Sequence, residues 1–146
     1  MRGRQSCVPR KIKEVLYNAD DSSNIAIKNR LVEVMMHFEA EPATEHSVVI
    51  HIGKTLNFGN AEDFERLCRD TMGRGYRNFI LDFSETGILD STGLGAVFTL
   101  YRQVPSDGKV VFASPSQVVQ VVMQITRIYR TFPYYPSVQA ACRALA

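Results

Sequence analysis

The residues Asp90-Ser91-Thr92-Gly93 place one carboxylate and two hydroxyls at the predicted start of a helix, directly after an apolar stretch. The first turn of a helix has backbone N–H groups without intrahelical partners and carries the positive end of the helix dipole, so it favours a phosphate. Asp, Ser and Thr are also ordinary N-cap residues. The run therefore predicts either a phosphate-accepting hydroxyl or a simple helix cap, and the surrounding sequence is needed to separate the two.

Catalysis by Ser91 is not favoured by the rest of the chain. A serine nucleophile needs a histidine base and an acid that orients the base. The three histidines, His37, His46 and His51, all lie in the predicted opening hairpin, and nothing in the spacing places one beside Ser91. We therefore expect that the protein is not an enzyme.

Signatures of nucleotide and metal binding are incomplete. Gly53-Lys54-Thr55 matches the end of a phosphate-binding loop, but that pattern needs a glycine where Val48 stands. His37 and His51 can face each other across the hairpin, yet no third ligand follows at a suitable spacing, so a structural pair is favoured over a metal site. The chain is expected to bind no metal and no cofactor.

Composition and charge predict one globular domain with an extension. The chain has 146 residues, of which 45% are hydrophobic and 22% charged. Residues 1–30 contain seven Lys or Arg and three Asp or Glu, a net charge of +4, which leaves −2 for the remainder. We expect a basic N-terminal extension over 1–30 and a folded domain over 31–146.

Several classes of protein are excluded by the same features. The chain has no stripe of basic residues interleaved with aromatic ones, so nucleic-acid binding is not expected. No apolar run approaches the roughly 20 residues that span a bilayer, and no signal peptide is recognisable. We expect a cytoplasmic protein without membrane insertion, either a monomer or a weak homodimer.

The hydrophobic pattern predicts strands that alternate with helices. The predicted strands are residues 33–39, 47–52, 78–83, 109–113 and 129–132. The predicted helices begin near Ala61, at Asp90, at Ser114-Pro115 with the proline in the first helical position, and at Pro136. The helix after Asp90 is expected to bury Leu94, Val97, Phe98 and Tyr101, and the next helix to bury Val118, Val119, Val121, Val122 and Ile125.

This alternation predicts an α/β fold, because consecutive parallel strands need helical crossovers. We expect a mixed, mainly parallel sheet of about five strands flanked by about four helices. The first hairpin supplies the antiparallel edge.

The chain resembles the STAS family, especially the bacterial anti-sigma factor antagonists, in three consecutive segments: Phe79-Ile80-Leu81-Asp82-Phe83, Gly87-Ile88-Leu89 and Asp90-Ser91-Thr92-Gly93-Leu94-Gly95. The resemblance extends over about residues 31–146. It implies a protein that binds an anti-sigma factor that is also a serine kinase, and thereby frees a sigma factor for transcription. The phosphorylated serine of that family corresponds to Ser91, with Thr92 as the less favoured acceptor.

The same resemblance implies a contact surface for the partner and a phosphatase as a further partner. The predicted contact residues are Asn57, Phe58, Asp90, Ser91, Thr92, Gly93 and Leu94. Gly93 is expected to leave room for a kinase active site to approach Ser91.

One position departs from the family pattern. Members commonly have an acidic residue after the leucine of the second-strand loop, whereas Leu56 is followed here by Asn57. The amide cannot supply the negative charge. An alternative function is therefore a STAS scaffold or adaptor that does not switch by phosphorylation, in a signalling assembly or beside a transporter ATPase.

Overall fold

Short runs rich in valine, isoleucine and phenylalanine form the strands, because branched and aromatic side chains favour extended backbone. In the computed structural model, which describes residues 38–146, the main sheet has five strands in the order β1-β2-β4-β6-β7. These strands are β1 (Glu39–Pro42), β2 (Ser47–His51), β4 (Asn78–Asp82), β6 (Lys109–Ala113) and β7 (Tyr134–Tyr135). A second, two-stranded sheet pairs β3 (Thr55–Leu56) with β5 (Ile88–Leu89).

Residues 38–146 also form four α-helices and one short 3₁₀ helix. They are α1 (Ala61–Gly73), α2 (Ser91–Gln103), α3 (Gln117–Thr126), α4 (Val138–Leu145) and the 3₁₀ helix Ile128–Arg130. Strand β1 runs antiparallel to β2, and the other neighbours in the main sheet are parallel. The predicted fold class, a mixed and mainly parallel sheet with helices around it, is confirmed.

The two faces of the sheet bury different sets of side chains, because successive residues of a strand point to opposite faces. Val48 and Ile50 of β2 belong to the larger cluster, which also contains Phe64 of α1, Val97 of α2 and Val119 of α3. The second cluster contains Val49, Ile80 and Val111, packed against Ala141 of α4. The loops that carry the candidate site therefore rest on a layer built by three helices.

Two predicted strands lie elsewhere. The edge strand is β1 at Glu39–Pro42, not residues 33–39, of which 33–37 fall outside the described residues. Pro42 ends this strand, because a proline is tolerated in an edge strand, where one N–H group needs no ladder partner. The strand expected at 129–132 is wrong as well. Ile128–Arg130 is a 3₁₀ helix, and the pairing residues are Tyr134 and Tyr135.

The burial expected for two helices also needs correction. In α2, Ala96 and Leu100 are buried, whereas Tyr101 is 45% exposed. In α3, Val119 and Met123 are buried while Ile125 is 76% exposed. A helix that packs at the rim of a sheet buries only one stripe, so a dense apolar sequence leaves part of itself in water.

Helix α3 begins two residues later than predicted. Ser116 is the N-cap, and its hydroxyl accepts a hydrogen bond from the N–H of Val119. Pro115 therefore lies before the cap and not at the first helical position.

None of the helices within residues 38–146 has both the length and the apolar character needed to cross a bilayer. The predicted extension over 1–30 lies outside the described residues, as does His37.

Candidate functional site

The small sheet brings two loops together at one edge. Strands β3 and β5 run parallel, with Thr55 opposite Ile88 and Leu56 opposite Leu89. Because both strands end at this edge, the loop that begins at Asn57 lies beside the start of α2. The sequence predicted neither strand, since two-residue strands leave almost no periodic signal.

Asp90 joins these two loops and caps α2. Its Oδ1 accepts a hydrogen bond from the N–H of Gly93 at 2.8 Å, and its Oδ2 accepts one from the N–H of Phe58 at 3.1 Å. Its own N–H donates to the carbonyl oxygen of Leu56 at 3.3 Å. The predicted N-cap is confirmed, and the same carboxylate also fixes the neighbouring loop.

Ser91 and Thr92 are the first two residues of α2, and both are exposed. Their hydroxyls form no hydrogen bond with any of residues 38–146, so each is open to solvent. Ser91 thus places a free hydroxyl at the positive end of a helix of 13 residues.

Gly93 is buried, which changes its predicted role. A Cβ atom at this position would lie 2.2 Å from the carbonyl oxygen of Leu56, closer than real atoms approach. Glycine therefore lets α2 pack directly on β3. Gly93 therefore supports the surface around Ser91 from beneath.

Asn57 builds the tight turn between β3 and α1. Its side-chain oxygen accepts a hydrogen bond from the N–H of Gly59 at 2.9 Å, and its carbonyl oxygen accepts from Asn60 and Ala61. The side chain of Asn60 does not cap α1. Instead it accepts from the N–H of Asn57 and donates to the carbonyl of Thr55, at 2.9 and 2.8 Å.

The turn presents an apolar side chain next to the open hydroxyls. Phe58 is 79% exposed, although its N–H is held by Asp90. Ile88, just before the buried Leu89, is 52% exposed and was not among the predicted contact residues. Leu94 is half-buried and packs against the main core. The exposed surface of the site consists of Phe58, Ile88, Ser91 and Thr92, and we call it the Ser91 surface. No local pattern indicates the exposure of Ile88, because a strand of two residues shows no alternation.

A histidine with two carboxylates lies on the other face of the sheet. His51 Nδ1 is 2.7 Å from Asp82 Oδ2, and its Nε2 is 3.0 Å from Glu41 Oε1. Burial acts to lower the pKa of His51, but the hydrogen bonds and charges of Asp82 and Glu41 outweigh burial and raise it to about 9. Burial acts to raise the pKa of Asp82, yet the hydrogen bonds from His51 and Ser84 lower it.

These three side chains link β1, β2 and β4. Asp82 ends β4 and begins the loop that leads to β5, so the cluster fixes one end of the segment that carries Ser91. The expected facing pair with His37 lies outside the described residues, and in residues 38–146 His51 is paired with carboxylates instead. No group of three or more side chains in that part of the chain is suited to bind a metal ion.

The family model for the STAS domain matches residues 38–141. The chain belongs to the STAS domain family. The match covers the seven strands found within residues 38–146, and it includes both loops of the Ser91 surface.

Several relatives of this STAS domain are named as anti-sigma factor antagonists. A Thermotoga neapolitana protein named as a candidate anti-sigma factor antagonist is 29% identical over 99 residues, which are 66% of this chain and 88% of the relative. The crystal structure of a candidate anti-sigma factor antagonist from Thermotoga maritima has a TM-score of 0.66 at 24% identity, covering 75% of this chain and 93% of that one.

Two structures named SpoIIAA, one of them from Bacillus, share the same fold. The unphosphorylated form, named an anti-sigma factor antagonist, has a TM-score of 0.63 at 22% identity and covers 73% of this STAS domain and 95% of its own chain. The phosphorylated form has a TM-score of 0.62 at 20% identity and covers 75% and 99%. At these identities the likeness shows the fold.

Proposed function

We propose that this STAS domain is an anti-sigma factor antagonist that binds an anti-sigma factor with serine kinase activity, and that phosphorylation of Ser91 ends the binding. The protein then acts as a binding partner and a kinase substrate, and a phosphatase restores binding by removing the phosphate. The relatives named as anti-sigma factor antagonists support the general role. The observation that carries the proposal is the free, exposed hydroxyl of Ser91 at the start of α2.

The geometry around Ser91 suits a switch. A phosphate adds about −1.5 to −2 charges and three acceptor oxygens. At this position the N-terminus of α2 stabilises the dianion, while the carboxylate of Asp90 is the preceding residue and already accepts two N–H groups. The added charge therefore changes the surface and not the fold.

The contact with a partner is lost for two physical reasons. Phe58 and Ile88 offer apolar area that a partner would cover, and a dianion beside them would have to be desolvated in the interface. The phosphate on Ser91 would also repel a partner whose unpaired negative charge faces Asp90.

The decisive experiment combines phosphorylation with binding. The full chain is incubated with its cognate kinase and ATP, and the modified residue is located by mass spectrometry. Binding to the kinase is then measured for the unmodified protein and for Ser91→Asp. We expect modification at Ser91 and at least about a tenfold weaker affinity of Ser91→Asp, the effect of one charged group placed in an interface.

Ser106→Asp is the matched control, because Ser106 is an exposed serine in the turn after α2 and receives the same charge. It should bind like the wild type. Modification at other residues only, or full affinity of Ser91→Asp, would contradict the proposal.

A second candidate function, a scaffold that does not switch, is favoured by Asn57. The side chain of Asn57 carries no charge, and its oxygen is already engaged with the N–H of Gly59. In a scaffold, the kinase would leave Ser91 unmodified while the Ser91 surface still bound a partner. A pull-down that recovers an ATPase or a large homo-oligomer, and no kinase, would support this candidate over the first.

A further inference from the structure

A groove of about 450 Å³ lies between the second half of α3, the 3₁₀ helix and β7. It is lined by Gln120, Met123, Gln124, Arg127, Tyr129 and Tyr134. Its volume is in the range of small-ligand sites, and its lining combines an apolar methionine and two aromatic rings with a few polar groups. None of these six residues belongs to the Ser91 surface.

The groove has one positive charge and no negative one. Arg127 forms no salt bridge with any of residues 38–146. The chain contains no Asp or Glu after Asp107, while Lys109, Arg127, Arg130 and Arg143 follow it. A single unpaired guanidinium among neutral donors favours an anion with one charge, and its planar fork matches a carboxylate.

The backbone of Arg127 is unusual for an arginine. It adopts the left-handed conformation, with φ 59° and ψ 26°, between the end of α3 and the 3₁₀ helix. Glycine is the usual residue at such a helix end, because a Cβ atom disfavours this conformation. The chain has an arginine at a position where glycine would serve the fold better, which points to a use for the side chain.

We propose that this groove binds a carboxylate attached to an apolar or aromatic body, with Arg127 as the residue that pairs with the carboxylate. Tyr129, Tyr134 and Met123 would contact the apolar body, and the amides of Gln120 and Gln124 would supply further hydrogen bonds. The carboxylate could belong to a free organic acid or to the end of a polypeptide, and the experiment separates these two sources.

The test is an NMR titration of the ¹⁵N-labelled full chain with 3-phenylpropionate and, in parallel, with the neutral 3-phenylpropionamide. We expect saturable shifts of the side-chain amides of Gln120 and Gln124 with the acid. The amide should bind about tenfold to a hundredfold more weakly, as expected for the loss of a charge-assisted pair. No saturable shift, or equal affinity for acid and amide, would overturn the proposal.

Arg127→Gly removes the guanidinium and is compatible with the left-handed backbone, so its melting temperature should equal or exceed that of the wild type. Its affinity for 3-phenylpropionate should fall by the same factor as the affinity of the wild type falls when the acid is replaced by the amide. Arg130→Gln is the matched control, since Arg130 is exposed and does not line the groove, and it should bind normally. If Arg127→Gly does not fold, Arg127→Gln takes its place. Wild-type affinity in the variant that folds would refute the role of Arg127.

The source of the carboxylate is tested with a blocked dipeptide that ends in phenylalanine, either as the free acid or as the amide. Tighter binding of the peptide acid than of 3-phenylpropionate assigns the groove to a polypeptide terminus. Tighter binding of 3-phenylpropionate assigns it to small organic acids. Equal binding of the peptide acid and the peptide amide would contradict recognition of a carboxylate on a polypeptide.

Discussion

Gly93 is the residue that determines how close α2 lies to β3, and through this distance it determines where Ser91 is presented. In Gly93→Ala the new methyl group would lie 2.2 Å from the carbonyl oxygen of Leu56. We expect the free energy of unfolding to fall by about 1–3 kcal/mol or more, the cost of overpacking a site that cannot relax. Urea denaturation measures it.

Gly95→Ala is the control for this prediction. Gly95 also lies in α2, but a Cβ atom there meets nothing within 4 Å. Because alanine favours the helix more than glycine, Gly95→Ala should gain up to about 1 kcal/mol. Equal destabilisation by both variants would mean that the close approach to Leu56 is not the cause.

His51 should make the stability of the protein depend on pH. Its pKa is raised from 6.5 to about 9, so its contribution is fully present below pH 6.5 and is lost as the pH rises through about 9. The free energy of unfolding should fall by up to about 3 kcal/mol, because each unit by which the pKa is raised corresponds to about 1.4 kcal/mol. Urea denaturation at several pH values from 6 to 10 measures it.

His51→Gln should be less stable than the wild type at pH 6 and should lose most of this pH dependence. His46→Gln is the control, because His46 is exposed and forms no salt bridge within the described part of the chain. It should retain the wild-type profile. If the stability of His51→Gln depended on pH as that of the wild type does, His51 would not be the group responsible.

At the scale of the elements, the cap of α2 also holds a neighbouring loop. Asp90 accepts hydrogen bonds from Gly93 within its helix and from Phe58 on the neighbouring loop. Asp90→Ala should therefore cost about 1–2 kcal/mol of stability, and it should also weaken partner binding because the loop of Phe58 loses its tie. Denaturation and a binding titration measure the two effects.

Ser137→Ala separates these effects. Ser137 caps α4, where its hydroxyl accepts a hydrogen bond from the N–H of Ala140 at 3.0 Å, and α4 packs on the opposite face of the sheet. This variant should lose about 1 kcal/mol and keep its affinity for the partner. A similar loss of affinity in both variants would show that reduced stability alone explains the effect of Asp90→Ala.

The elements also differ in how well the sequence predicts them. Strands β2, β4 and β6 were predicted almost to the residue, because buried runs of branched side chains next to glycine-rich turns leave little choice. Strands β3 and β5 were missed, since each has only two residues and each is stabilised by the other. The burial of α3 was overestimated because periodicity gives the apolar face of a helix but not the area that its neighbours cover.

At the scale of the whole molecule, a buried phenylalanine should matter for stability and an exposed one for partner binding. Phe132 is fully buried and its ring lies 5.1 Å from that of Phe112 and 5.2 Å from that of Phe98. Phe132→Ala should lower the free energy of unfolding by about 3–5 kcal/mol. Phe58→Ala should leave stability unchanged within about 0.5 kcal/mol, because Phe58 is exposed.

Partner binding should show the reverse order. Phe58→Ala should weaken it by at least about tenfold if this aromatic side chain is an anchor of the interface. Phe132→Ala, measured at a temperature where it is folded, should bind close to normally. Unchanged binding of Phe58→Ala would remove the turn at 57–59 from the contact surface.

The sequence by itself determined the three central strands β2, β4 and β6, the helices that connect them, the family and the position of Ser91 at the start of a helix. These depend on neighbours along the chain: hydrophobic period, turn residues and an N-cap aspartate. The tertiary structure alone decided that Asp90 ties Phe58, that Gly93 packs on Leu56, that His51 lies between two carboxylates, and that Arg127 lines a groove. Each of these contacts joins residues brought together by strand pairing and helix packing, whose distances no local pattern encodes.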